Sequence, residues 1–259
     1  MQVLCAWGVR RCLAGRAGRA LARAPRPAAE ARFVRQRTPE AAMWSAILGV
    51  LLAATVQGPS SSLPDSIYYL PVRVHLVYSS HSTALNTDRT AADVAQLLST
   101  ANSAWRAAGI EWTLESIRMD TALLVPAYDS VLRRERPGPW VVLLAPFPTH
   151  DLLLTGWNLY LVGDGGGVFG GFFRTELRGV VLAQRGFGIE LTSGGRGGAT
   201  LAHELGHSLG LTHQPCGVRR DIMAVGCWDP SQPSTLTPDQ IVQARRQAAL
   251  GRPIEHDIE

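Results

Sequence analysis

His203, Glu204, His207, Gly210 and His213 all fall within "HELGHSLGLTH", residues 203–213, a run holding three of the chain's seven histidines. On an α-helix, residues four apart lie one turn above each other on one face, so His203 and His207 can aim their imidazoles at one point. Two neutral imidazoles converging in this way suit zinc, which takes histidine nitrogen at roughly 2.0–2.1 Å. Glu204, about 100° round the helix from His203, sits beside that point and can serve as a base toward a water without being a ligand. His213 cannot join them on a continuing helix, because it would lie about 15 Å along the axis from His203. The helix has to stop and turn back, and glycine most readily takes the left-handed conformation past a helix end. Gly210 stands where that reversal is required. Three neutral histidines would leave zinc's fourth position for a water, as in catalytic rather than structural sites. The plainer alternative is a buried amphipathic helix with satisfied histidines and an ordinary glycine cap.

The full spacing H-E-x-x-H-x-x-G-x-x-H, with "DIMAVG" placing Met223 ten residues after His213, resembles the metzincin zinc peptidases. The resemblance implies one catalytic Zn2+ held by His203, His207 and His213, with Glu204 as general base. It also implies that Met223 lies in a tight turn beneath the metal and floors the site with its soft thioether. "AVGCWDPSQPST" occupies the segment that in this family walls the pocket just past the scissile bond. Trp228 is its one large apolar side chain, so an apolar-preferring pocket is expected, with core packing of Trp228 as the equal alternative. Gln214 follows the third histidine, and Val225 stands where the astacins and serralysins carry a tyrosine ligand. The expected subtype is therefore matrixin-like rather than astacin- or serralysin-like. A zinc-dependent endopeptidase acting on a peptide or protein is the implied function. A zinc-stabilised, non-catalytic binding module and a hydrolase of non-peptide amides are the alternatives. Loss of Glu204 would mark the binding module, and Glu204 is present.

The elements that must position these residues can be read from the pattern. "IYYLPVRVHLVYSS" has the β-branched and aromatic content of a strand, with His75 on its surface or in the core. Residues 86–110 form an amphipathic helix, with Thr87 or Asp88 as N-cap, an apolar stripe of Val94, Leu97, Leu98, Ala101 and Trp105, and Gly109 as its end. "IEWTLESI", "WVVLLAPF", "WNLYLVGD" and "RGVVLAQRG" read as strands, and "GDGGGVFGGFF" as loop and edge strand. "GIELTSGGRGGAT" reads as a flexible run into a helix that starts near Thr200. Thr237 as N-cap and Pro238 at the first helical position open a last helix. Over roughly residues 66–250 this order resembles the metzincin catalytic domain. That implies an α+β fold: a mixed twisted sheet on two long helices, a C-terminal helix, and a zinc site in a cleft. The edge strand above that cleft, which in the family pairs with extended substrate, would come from Gly170 to Phe173.

Composition sets the context. The chain has 259 residues, 46% of them hydrophobic, enough for one substantial core. Its +4 charge is unevenly spread: residues 1–42 hold nine arginines against Glu30 and Glu40, so the remainder carries a net −3. No basic stripe with interleaved aromatics is present, so nucleic acid is not an expected partner. Residues 1–42 read as an arginine-rich leader or translated upstream sequence, 43–62 as a signal-peptide-like segment and linker, and 63–259 as the catalytic domain. The apolar stretch Ala46–Val56 is short for a bilayer but suits a signal peptide. A secreted or cell-envelope protein without stable membrane insertion is expected, with a membrane anchor as the alternative. In an exported protein Cys216 and Cys227 read as a disulfide. Two free thiols, or Cys216 as a ligand, are the alternatives. Such a bridge, worth roughly 3 kcal/mol in the loop-entropy picture, should block alkylation of both residues. Intact mass after non-reducing alkylation checks this, and two labelled thiols would refute it.

Overall fold

The computed structural model describes residues 66–134, 140–215, 221–224 and 235–256, all within one compact unit. The readings made for residues 1–62, for Cys216, Cys227 and Trp228, and for Val225 lie outside these described residues. Among the described residues six strands form one sheet: β1 Tyr68–Tyr78, β2 Ile110–Thr121, β3 Trp157–Asp164, β4 Gly171–Arg174, β5 Gly179–Gly186 and β6 Ile189–Glu190. Their order is β2-β1-β3-β5-β4, with β6 also on β5. The sheet is mixed, as expected, but mostly parallel: β2, β1, β3 and β5 run together, while β4 and β6 pair antiparallel with β5. The architecture is thus closer to α/β than to the α+β class expected.

Parallel strands need crossovers, and crossovers cover faces. The helices α1 Ala91–Trp105, α4 Arg196–Ser208 and α5 Pro238–Ala248 contribute to one buried cluster, with Leu159, Leu161, Val180 and Leu182 of the sheet. The short helices α2 Tyr128–Leu132 and α3 Trp140–Leu144 contribute to the other, with Tyr160, Val162, Val181 and Ala183. Alternate residues of β3 and β5 therefore bury on opposite faces, which is why "WNLYLV" is apolar almost throughout.

Three expectations are corrected. "WVVLLAPF" is not a strand: Leu143 and Phe147, four apart, are both buried where α3 and the turn after it cover the second face. A short apolar run does not distinguish the two states. The N-cap of α1 is Thr90, not Thr87 or Asp88. Its hydroxyl accepts from the Asp93 N–H, while the Asp93 carboxylate accepts from the Thr90 N–H, a reciprocal box that outcompetes earlier caps. Gly109 ends that region as expected, at φ 62°, after a single 3₁₀ turn.

The third correction concerns "GGRGGAT", where the helix α4 begins at Arg196, so that Gly197 and Gly198 are helical. They serve close packing rather than flexibility. A β-carbon on Gly198 would lie 2.4 Å from Thr100 Cβ of α1 and 2.9 Å from the Ser193 carbonyl oxygen. Glycine to alanine inside a helix ordinarily gains about 0.5–1 kcal/mol, but overpacking typically costs about 1–3 kcal/mol. A contact that far inside van der Waals range, against a carbon next to the backbone, decides the sign. Gly198→Ala is expected to lower stability by about 1–2 kcal/mol, measurable by urea denaturation.

Candidate metal centre

Two tryptophans fix α4 to the frame. The Trp105 indole N–H donates to the Ala202 carbonyl (3.2 Å) and the Trp157 indole N–H to the Ser208 hydroxyl (2.9 Å), so α1 holds the middle of the helix and β3 its C-terminal end. Trp112 stands edge-to-face with both, at 6.3 Å from Trp105 and 5.2 Å from Trp157. All three rings are fully buried. The helix bearing the candidate site is thus set on rigid aromatic supports.

Gly210 makes the reversal that the spacing demands, at φ 86°. The Leu211 N–H donates to the Gly206 carbonyl (3.0 Å) and the Gly210 N–H to the His207 carbonyl (2.9 Å), the paired bonds of a Schellman ending. The chain then folds back, and His213 comes to His207. Its Nε2 lies 3.0 Å from His207 Nε2, which lies 3.2 Å from His203 Nε2. All three ligand atoms lie within 4.8 Å of one another. A tetrahedral ion with bonds near 2.05 Å places its ligand nitrogens about 3.3 Å apart, close to both short separations.

The hydrogen bonds on the far side of two rings settle which nitrogens are bare. His203 Nδ1 donates to the Ile222 carbonyl (2.7 Å) and His207 Nδ1 to the Leu211 carbonyl (2.8 Å). A carbonyl can only accept, so Nδ1 carries the proton and Nε2 presents a lone pair. Burial pushes His203 down to about 4. Burial and the neighbouring imidazoles push His207 down to about 3, and partial desolvation also lowers His213, the exposed member of the three. The bare Nε2 lone pairs of His203 and His207, 3.2 Å apart, repel unless a cation lies between them. The described residues therefore contain a three-histidine group able to hold a metal ion.

Glu204 is buried next to His203 and outside the triad. Burial pushes its carboxyl up to about 8, opposed by a hydrogen bond from the Phe173 backbone N–H. Phe173 belongs to β4, the end strand of the sheet's path and the segment expected to supply an edge. A β-carbon on neighbouring Gly171 would lie 2.9 Å from Glu204 Cγ, so glycine lets the strand approach this closely.

Met223 is fully buried beneath α4, where a β-carbon on Gly206 would lie 2.4 Å from its Sδ. The turn is tied to the third histidine by the neighbouring Gln214, whose N–H donates to the Met223 carbonyl (2.9 Å). His75 lies elsewhere, buried between strands, with Nδ1 2.6 Å from Asp120 and its ring stacked on Tyr160. Asp221 and Gln240, which hold the Met223 turn, were not singled out from the sequence. The "TPDQ" capping box at the start of α5 was the available signal.

No protein-family profile and no curated protein matches the sequence. Among solved structures, the chain is similar to metalloproteinase-II from Bacteroides fragilis at 15% identity and a TM-score of 0.38, covering 71% of this chain and 55% of that one. It is also similar to a chaperone-substrate complex at 12% identity and a TM-score of 0.40, covering 71% of this chain and 35% of that one. The chain thus spans about half or less of each. At so shallow a likeness, the side chains that the fold brings together must carry the functional argument.

Proposed function

We propose that this protein is a metal-dependent endopeptidase, with His203, His207 and His213 holding one zinc ion and Glu204 as general base. The observation that carries this reading is the pairing of three converging imidazole nitrogens with a buried carboxyl outside their group. Neutral imidazole donors suit zinc, as they also suit copper, iron and nickel. Bound there, the ion would supply a Lewis acid for a scissile carbonyl and bring a water's pKa toward neutrality. Glu204 would accept that water's proton on its carboxylate and return it to the leaving amine nitrogen. Burial suits Glu204 to this role, since a base poised near the working pH both takes and gives a proton readily. The β4 edge would align an extended peptide beside Glu204, and Met223 would floor the site. A matrixin-like subtype, a Trp228-walled pocket and export through the Ala46–Val56 segment belong to the same proposal. Among the described residues no helix is long and apolar enough to cross a membrane.

The test is cleavage of a peptide library by the purified full chain, with zinc and with a chelator. Zinc-dependent internal cleavage supports the reading. A zinc-loaded protein that cuts no peptide favours a binding module instead.

A further inference from the structure

The Met223 turn is anchored by two residues to which the proposed chemistry assigns no part. Asp221 is 4% exposed and Gln240, on α5, is 6% exposed. The Asp221 carboxylate accepts from the Met223 N–H (2.7 Å) and, through both oxygens, from the Gln240 amide NH2 (3.0 and 2.9 Å). Gln240 has no freedom to turn its amide over. Its carbonyl oxygen is already taken by the Thr237 N–H (2.7 Å), as the reciprocal half of the α5 capping box. Among the described residues the donors reaching this buried carboxylate are neutral, so its orientation depends on them.

What the turn delivers is a carbonyl. Ile222 lies between Asp221, which bears the carboxylate, and Met223, whose N–H that carboxylate holds. Its N–H is held by the Thr235 carbonyl (3.0 Å), and its own carbonyl receives the His203 Nδ1 proton (2.7 Å). That bond keeps His203 in the tautomer whose Nε2 is bare. We infer that Asp221 and Gln240 are a positioning pair, through which the N-terminus of α5 sets the aim of His203 at the metal. The inference rests on the metal-centre reading and deepens it: α5 belongs to the site without touching it.

The pair can be broken and remade by exchanging chemistry. In Asp221→Asn the new amide faces the Gln240 amide, donor against donor. In Gln240→Glu two carboxylates face each other at hydrogen-bond distance. The double variant D221N/Q240E restores one donor against one acceptor, and glutamate at the third helical position still accepts from the Thr237 N–H. Zinc affinity of the full chain, by chelator competition, is the main readout. The visible absorption of the cobalt(II)-loaded protein, which reports ligand geometry, is the second.

Each single variant is expected to bind zinc about 10-fold more weakly, at the lower end of the ~10–100-fold cost of losing an outer-shell partner. The cobalt band should shift in each single variant. The double variant should return to within about threefold of wild type, with the original band. If one single variant does not fold, the other and the double carry the comparison. Folded single variants with wild-type affinity and spectrum would overturn the inference, as would a double variant no tighter than the singles. A wild-type chain that takes up no zinc would fail differently, removing the metal centre itself.

Discussion

Glu204→Gln is expected to keep near-stoichiometric zinc and the fold, and to lose peptide hydrolysis by at least the ~10²–10⁴-fold typical of a missing general base. Zinc content and hydrolysis measured on one preparation check it, and full activity in the variant would sink the mechanism. Glutamine preserves the shape and can still accept from the Phe173 N–H, so the loss would be one of proton transfer rather than packing. The same substitution has a second signature in the metal-free protein. Burial raises Glu204 from 4.5 to about 8, so between those values the native state holds a proton that the unfolded chain has released. Stability from this group then falls as pH rises through that window. Metal-free Glu204→Gln should therefore gain on metal-free wild type from about pH 5 to 8. A denaturation midpoint series against pH reads this directly, and a flat difference would place Glu204 in a wetter environment than the fold gives it.

The histidine-bearing helix was legible because its information is local. His203 and His207 are one turn apart, and Gly210 has a single geometric job. The spacing alone required a reversal before His213, and the Schellman bonds at Gly206 and His207 supply it. Capping chemistry is equally local, which is why Thr237 and Pro238 announced α5 correctly. Legibility failed where distant residues decide. Gly197 and Gly198 look like loop glycines until Thr100 and the Leu191 carbonyl oxygen occupy the space their side chains would need. Leu143 and Phe147 sit in an apolar run compatible with strand or helix, and the need to cover Tyr160 and its neighbours chose the helix. The parallel order β2-β1-β3-β5 depends on pairings across long separations, such as Val74 with Leu159, which no short window encodes. Asp221 reads as an ordinary turn residue, and only the fold brings Gln240 to it, 19 positions on.

His213→Ala should separate binding from chemistry in the opposite direction to Glu204→Gln. His213 is the candidate ligand brought back by the chain reversal and the most exposed of the three. Its removal should leave the buried supports of α4 untouched. Metal-free wild type and metal-free His213→Ala are therefore expected to melt within a few degrees of each other. Zinc changes that. A ligand that binds only the native state stabilises it by RT ln(1 + [L]/Kd), about 4 kcal/mol at a thousandfold excess over Kd. Losing a direct ligand should weaken affinity by more than the ~10–100-fold of an outer-shell loss. At 100-fold, about 2.7 kcal/mol of the zinc-linked stability disappears, which for a domain of this size is about 5–10 °C in Tm. Thermal melts of wild type, Glu204→Gln and His213→Ala, each with excess zinc and with chelator, give the comparison. Wild type and Glu204→Gln should show the full zinc-dependent rise, and His213→Ala only a remnant. An equal rise in all three would remove His213 from the metal, and no rise in any would remove the metal from the protein.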